Sequence, residues 1–253
     1  MRDGEPLRVL NITVKMRRGG GMQNMIMDYY RNINRNKIQF DFLYHVPERQ
    51  TYDDEIQELG GKVYRVTNYR KNVIRKIIET VKIFREYKEN GIIHIHTSSA
   101  IRLIDGLLAR ICGVKTVIFH SHSNFNKKPL KYHLTVPLFR VIGTHFLACS
   151  NEAASTFFGE GIIYKSNYFL VKNAIDLKKY KFTSIIREKK RKELNLDPDD
   201  IVIGYVGRLS KEKNLQFLYD IFIEVWKLNK HAKLLIVGNG NEEIPLKERA
   251  KLD

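Results

Sequence analysis

Two pairs of histidines sit at short spacing in this chain, His94-x-His96 and His120-x-His122, within or just after short apolar runs. On a strand, residues two apart share a face, so either pair presents two imidazoles to one side. For His120-x-His122 the readings open to the residues themselves are ligation of zinc and a purely structural role. Zinc needs a further ligand, and none of fitting spacing is apparent, since Cys112 and Cys149 fall in separate apolar stretches. For His94 the plain reading is a core polar residue satisfied by neighbouring backbone; His96 lies nearer its strand's carboxyl end and is assigned no catalytic role.

Glycine-bearing loops supply a second theme. In Gly19-Gly20-Gly21 the absent side chains let backbone N–H groups and a helix N-terminus approach a phosphate. The run matches neither G-x-G-x-x-G nor the Walker ending, and read alone it is equally a flexible turn. Gly207-Arg208-Leu209-Ser210-Lys211-Glu212-Lys213-Asn214 sets a planar guanidinium fork and a point cation, Arg208 and Lys213, beside a helix start. That arrangement fits a diphosphate, the alternative being a solvated cationic loop. Gly238-Asn239-Gly240 repeats the theme, its alternative being a turn with positive φ angles.

These loops follow strands. Leu7 to Val14 reads as a strand, then a glycine-rich turn, then a helix from Met22 to Ile33. The unit recurs: Ile38 to His45 then Tyr52 to Leu59, Lys62 to Val66 then Asn72 to Tyr87, Ile92 to Thr97 then Ile101 to Cys112, Lys115 to His120 then Tyr132 to Ile142, and Thr144 to Ser150 then Glu152 to Phe158, with Tyr168 to Lys172 closing the series. Strands of nearly unbroken apolar residues alternating with helices imply an α/β fold with a parallel sheet covered on both faces, whose ligands gather at the strands' carboxyl ends. The reading is a complete Rossmann-like domain over 1–172, an interdomain crossing over 173–200 that includes a charged, solvated helix, and the first part of a second Rossmann-like domain over 201–253. In that last part Ile201 to Val206 and Ala232 to Val237 are strands, and Asn214 to Leu228 and Glu242 to Leu252 are helices.

With 253 residues, 43% of them hydrophobic, the chain can bury a sizeable core. Its formal charge of +16 points to an anionic partner, and the excess is spread over both halves of the sequence. No helix-turn-helix, zinc-finger or ribonucleoprotein motif accompanies the charge, so nucleic acid is not an expected partner. Two cysteines in apolar segments fit a reducing compartment rather than a disulfide scaffold. The N-terminus lacks a signal peptide's apolar core, and no uncharged stretch approaches the ~20 apolar residues of a membrane span. A cytoplasmic protein is expected, with a peripheral place on the anionic inner face of the plasma membrane.

The loop 207–214, followed by Phe217-Leu218 and by Ala232-Lys233-Leu234-Leu235-Ile236-Val237-Gly238-Asn239-Gly240, closely resembles the donor-domain opening of GT-B glycosyltransferases of family 4. Upstream, Arg18 to Gly21 with Met25-Ile26-Met27, Ile38 to Leu43, Asp53 to Ile56, Leu59 to Lys62, Ala109 to Thr116, His120 to Asn124, Ala148 to Ser150 and Asn173 to Asp176 are similar to the acceptor domain of the bacterial capsular and exopolysaccharide members. The resemblance implies two Rossmann-like domains, a nucleotide-sugar on the second, a lipid-linked or saccharide acceptor on the first, and retaining hexosyl transfer with no metal and no cofactor. It also implies that Arg208 and Lys213 neutralise the donor diphosphate, that Gly20 and Gly21 approach it, and that Gly238 and Gly240 border the nucleotide. His120 would be the active-site histidine, with His122 on the acceptor side as the second candidate.

The chain departs from the family pattern in two places. Gln23 stands where many relatives carry an acidic residue, and the glycine loop is one residue longer than usual. Relatives also continue beyond the equivalent of Asp253 with a glutamate-bearing segment that contacts the donor, so a C-terminally truncated chain with impaired or no activity is expected. The alternative is a non-catalytic remnant that binds a nucleotide or a partner.

Overall fold

The computed structural model describes residues 4–67, 72–97, 99–124 and 130–252. The chain divides into two compact units, Met1–Asp176 and Leu177–Asp253.

The first unit is built on a seven-stranded sheet. Its strands are β1 (Leu7–Thr13), β2 (Ile38–Tyr44), β3 (Val63–Arg65), β4 (Ile92–Thr97), β5 (Thr116–Ser121), β6 (His145–Ala148) and β7 (Tyr168–Leu170), in the order β3-β2-β1-β4-β5-β6-β7 with every neighbouring pair parallel. Between them run α1 (Gly21–Asn32), α2 (Asp53–Glu58), α3 (Val73–Glu86), α4 (Arg102–Ile111), α5 (Leu130–Ile142) and α6 (Asn151–Phe158). The order runs outward in both directions from β1 and β4, so these two strands form the switch point at which a doubly wound sheet opens a crevice beyond its carboxyl ends.

Alternation along the strands divides the core. Leu10 and Ile12 of β1, Ile93 and Ile95 of β4, and Val117 and Phe119 of β5 belong to one cluster, which also takes Phe84 of α3, Leu103 of α4 and Phe139 of α5. There Gly106 brings α4 close to the sheet: a Cβ at that position would stand 2.4 Å from the Phe119 ring. On the other side Met25, Ile26 and Tyr30 of α1 pack with Phe42 and Tyr44 of β2 and Ile56 of α2. Side chains cap the starts of α3 and α6. Asn72 accepts from the Arg75 N–H at 2.9 Å and Ser150 from the Ala153 N–H at 3.2 Å, each satisfying a donor the helix leaves free.

Two buried carboxylates are held by ionic contacts. Asp41 on β2 accepts from the Arg8 guanidinium at 2.7 and 2.5 Å, from the Tyr87 hydroxyl at 2.7 Å and from the Lys62 N–H at 2.7 Å. Asp105 on α4 lies 2.7 Å from Arg102, 3.1 Å from His45 and 3.6 Å from Lys76. Burial pushes Lys76 down to about 7 and His45 to about 4. Burial alone would raise Asp105, but His45, Arg102 and Lys76 outweigh it and hold the carboxyl below its ordinary value.

In the second unit a parallel pair, β8 (Ile201–Val206) and β9 (Ala232–Val237), carries α8 (Leu215–Leu228) between its strands and α9 (Glu243–Arg249) after them. A small core of Leu209, Leu215, Tyr219 and Leu246 holds them. The preceding helix α7 (Ser184–Glu193) has no buried residue, as a solvated helix should, and it falls within this unit.

Candidate functional site

The second face of the central strands carries polar residues where the first carries aliphatic ones. Asn11 on β1, His94 and His96 on β4, and His120 on β5 all line a cavity of 170 Å³ beneath α1, beside Met25, Ile26 and Tyr29. Parallel register sets His96 opposite His120 and His94 opposite Ile118, so histidines from two separate stretches of sequence meet side by side. His94 Nε2 stands 3.1 Å from His120 Nδ1, the two rings parallel within 1°. His96 Nδ1 stands 2.8 Å from His122 Nε2, and His96 Nε2 stands 3.1 Å from Asn11 Oδ1.

For His120-x-His122 the sequence offers no third metal ligand at fitting spacing. The fold instead groups His120 with His94 and His96, each bringing a ring nitrogen within 4.8 Å of the others, a spacing that could hold an ion. Which of these nitrogens carries a lone pair depends on the hydrogen bonds just described. Burial pushes all four imidazoles towards the neutral form, His94 to about 3, His122 to about 4, and His96 and His120 well below the ordinary histidine range.

His120 lies inside β5 and is 2% exposed, whereas His122 follows the strand's last residue and is half-buried. Gly20 is the N-cap of α1 and Gly21 its first residue, at the carboxyl end of β1. Because the strands are parallel, this loop and His122 lie at the same rim of the sheet. A Cβ on Gly21 would meet nothing within 4 Å, so packing does not demand that glycine. A Cβ on Gly20 would first meet the flexible end of Gln23, whose amide donates to the Lys15 carbonyl at 3.3 Å.

The second unit gathers the other expected residues. Arg208 and Lys213 are exposed in the segment between β8 and α8, which ends at Asn214 in the left-handed region with φ 48°. The Gly238–Gly240 segment is laced to it: the Leu209 N–H donates to the Asn239 carbonyl at 2.9 Å, and the Glu242 N–H to the Leu209 carbonyl at 3.0 Å. Added Cβ atoms would stand 1.8 Å from the Gly207 carbonyl oxygen at position 238 and 2.1 Å from that of Leu209 at position 240. These glycines are therefore required for the two loops to touch, which shapes the loop that carries Arg208.

Residues 186–252 match the family Glycosyl transferases group 1. The chain is 28% identical over 242 residues to the putative glycosyltransferase EpsF of Bacillus subtilis (strain 168), covering 92% of this chain and 62% of that protein. It thus spans less than two thirds of that relative's length. The crystal structure of Anabaena Alr3699/HepE in complex with UDP-glucose is similar at a TM-score of 0.70 and 17% identity, over 96% of this chain and 64% of that one. A glycosyltransferase from Rickettsia africae is similar at a TM-score of 0.63 and 14% identity, over 95% and 70%. The fold is that of the GT-B glycosyltransferases.

Within this GT-B fold, sequence reasoning singled out each histidine pair but missed that they form one layer. Asn11 it missed entirely, since a lone asparagine inside an apolar strand carries no motif. The available signal was its class: a buried amide in a central strand must find partners, and here it finds His96.

Proposed function

We propose that the chain serves a retaining, metal-independent hexosyltransferase of family 4, moving a hexose from a nucleotide-sugar to a lipid-linked or saccharide acceptor in cell-surface polysaccharide assembly. The observation that carries this reading is the laced loop pair of the second unit, which presents Arg208 and Lys213 within a stretch matching Glycosyl transferases group 1. The relative is a putative glycosyltransferase, and the Anabaena protein was crystallised with UDP-glucose.

As the glycosidic bond of the donor breaks, the departing nucleoside diphosphate gains negative charge. A guanidinium fork and an ammonium held beside it lower that barrier, supplying the charge that a divalent ion would otherwise bring. Within the first unit, Gly21 has open space around it, which leaves the first turn of α1 accessible to an anion. Of the two candidate imidazoles, His122 at the rim is the one assigned to the sugar, and His120, enclosed beneath α1, to the layer that supports it.

A place on an anionic membrane surface has its own support. Helices α4 and α5 pack side by side and expose Ile104, Leu107, Ile111 (69% exposed), Leu134 (74%), Leu138 and Val141 (79%), with exposed Arg110, Lys115 and Arg140 among them. Apolar side chains flanked by cations suit a lipid interface. Among the described residues no helix is long and apolar enough to cross a membrane.

Calorimetry with UDP-glucose, followed by an assay for release of UDP, tests the reading. Binding that Arg208→Ala weakens by about tenfold, with turnover, is the expected result. Binding without turnover would leave the nucleotide-binding remnant, and no binding of any nucleotide-sugar would end the proposal.

A further inference from the structure

We propose that Asn11 and His96 are positioning residues that hold His122 in a single neutral tautomer, with its Nε2 protonated and its Nδ1 presenting a lone pair to a hydroxyl of the bound saccharide. The inference rests on the glycosyltransferase reading for the identity of that ligand, and on hydrogen-bond bookkeeping alone for the tautomer.

The chain of constraints starts at the backbone. The Asn11 amide nitrogen lies 3.3 Å from the Val9 carbonyl and 3.4 Å from the Asp41 carbonyl. Carbonyls only accept, so the NH₂ group faces them and Oδ1 faces away, towards His96. Asn11 is fully buried in a central strand, so the amide has no solvent-facing alternative. Its Oδ1 can only accept, and the atom opposite it at 3.1 Å is His96 Nε2, which must therefore carry the proton. His96 is 4% exposed and packed against three other imidazoles, so a second proton would bring an uncompensated charge there and its Nδ1 is bare. The atom facing that lone pair at 2.8 Å is His122 Nε2, which must donate. In the neutral imidazole of His122 the remaining nitrogen, Nδ1, is then an acceptor.

Nδ1 of His122 is buried and has no hydrogen-bond partner among the described residues. A buried acceptor without a partner is destabilising by about 1 to 3 kcal/mol, so this atom is either served by an incoming donor or is a standing defect. It sits just beyond the carboxyl end of β5, at the rim shared with the glycine loop after β1, and β1 and β4 flank the switch point. A saccharide hydroxyl is the donor such a rim would meet. The same hydrogen bonds leave His96 no free lone pair, so a metal held by His94, His96 and His120 would require its contact to His122 or to Asn11 to break.

Long-range ¹H–¹⁵N correlation spectra of the histidine side chains in the full chain read the tautomers directly. The expected result at pH 7 is His96 and His122 each protonated at Nε2 alone. In Asn11→Leu, which keeps the volume but removes the acceptor, His122 should lose its single tautomer and show averaged nitrogen shifts, with its far-UV circular dichroism unchanged. A His122 protonated at Nδ1 in the wild-type chain overturns the proposal, and so does an Asn11→Leu spectrum identical to wild type. Should that variant not fold, the wild-type spectrum alone decides. Addition of UDP-glucose or a saccharide acceptor should move the His122 Nδ1 resonance, whereas binding that leaves it in place overturns the saccharide contact. Failure of UDP-glucose to bind at all strikes the glycosyltransferase reading and not the tautomer chain, so the two failures are distinguishable.

Discussion

The layer of four histidines makes the native state resist protonation. Burial lowers His122 to about 4 and His94 to about 3, while an unfolded chain titrates them near 6.5. Between those values the unfolded state binds more protons, so stability present above pH 6.5 is lost as the pH falls towards 4. Thermal melts across this range should show a steep acid-side decline, shallower in His94→Gln, where one such group is absent. An unchanged slope would mean that the layer admits protons without opening. In the second unit, Arg208→Ala and Lys213→Ala should each weaken nucleoside diphosphate binding by about tenfold, since a charge-assisted bond contributes about 1.5 to 3 kcal/mol. Both side chains are exposed, so calorimetry should record that loss with no change in melting temperature.

Loops that look alike in sequence differ in why they contain glycine. Gly240→Ala would drive a Cβ into the Leu209 carbonyl, and Gly238→Ala into that of Gly207, where no flexible side chain can yield. Each should destabilise the second unit by about 2 kcal/mol, read from urea unfolding. Gly21→Ala meets nothing and should leave stability unchanged. If the first turn of α1 approaches a phosphate, the same change should still reduce nucleotide-sugar affinity, a split between binding and stability that a purely structural glycine would not give.

Across the whole chain, protection is unequal. Strands β4 and β5 lie within a sheet of seven, whereas β8 and β9 pair only with one another among the described residues, over a core of four buried side chains. Two-stranded sheets are marginal alone, so amides of 201–206 and 232–237 should exchange much faster than those of 116–119. Comparable protection would reveal stabilisation that this small core does not explain. The exposed face of α4 and α5 makes a separate expectation. Leu138→Glu combined with Val141→Glu should weaken binding to anionic vesicles at least about tenfold, given about 1.5 to 3 kcal/mol for burying each such side chain. Raising the salt concentration should weaken it further, and Arg208→Ala should leave it as it was.

Element type and order were legible because they depend on local pattern. Apolar β-branched runs bounded by glycine and polar turns located β4, β8 and β9 at the residues the structure gives them, and the periodic stretches between became helices within a few residues. The charged run after Lys178 had no apolar stripe to bury, and α7 accordingly has no buried residue. Exposure of the loop cations was legible too, since Arg208, Lys211 and Lys213 between Gly207 and Asn214 all face solvent. Strand order was not legible, because which strands become neighbours depends on packing between segments far apart in the chain. That order decides the site. It sets β4 beside β5, so that His96 meets His122 and His94 meets His120, and it sets β1 against β4, so that an asparagine without any motif reaches the same layer. The burial that holds these imidazoles neutral is likewise a product of α1 closing over the sheet, since isolated histidines in water would titrate near 6.5.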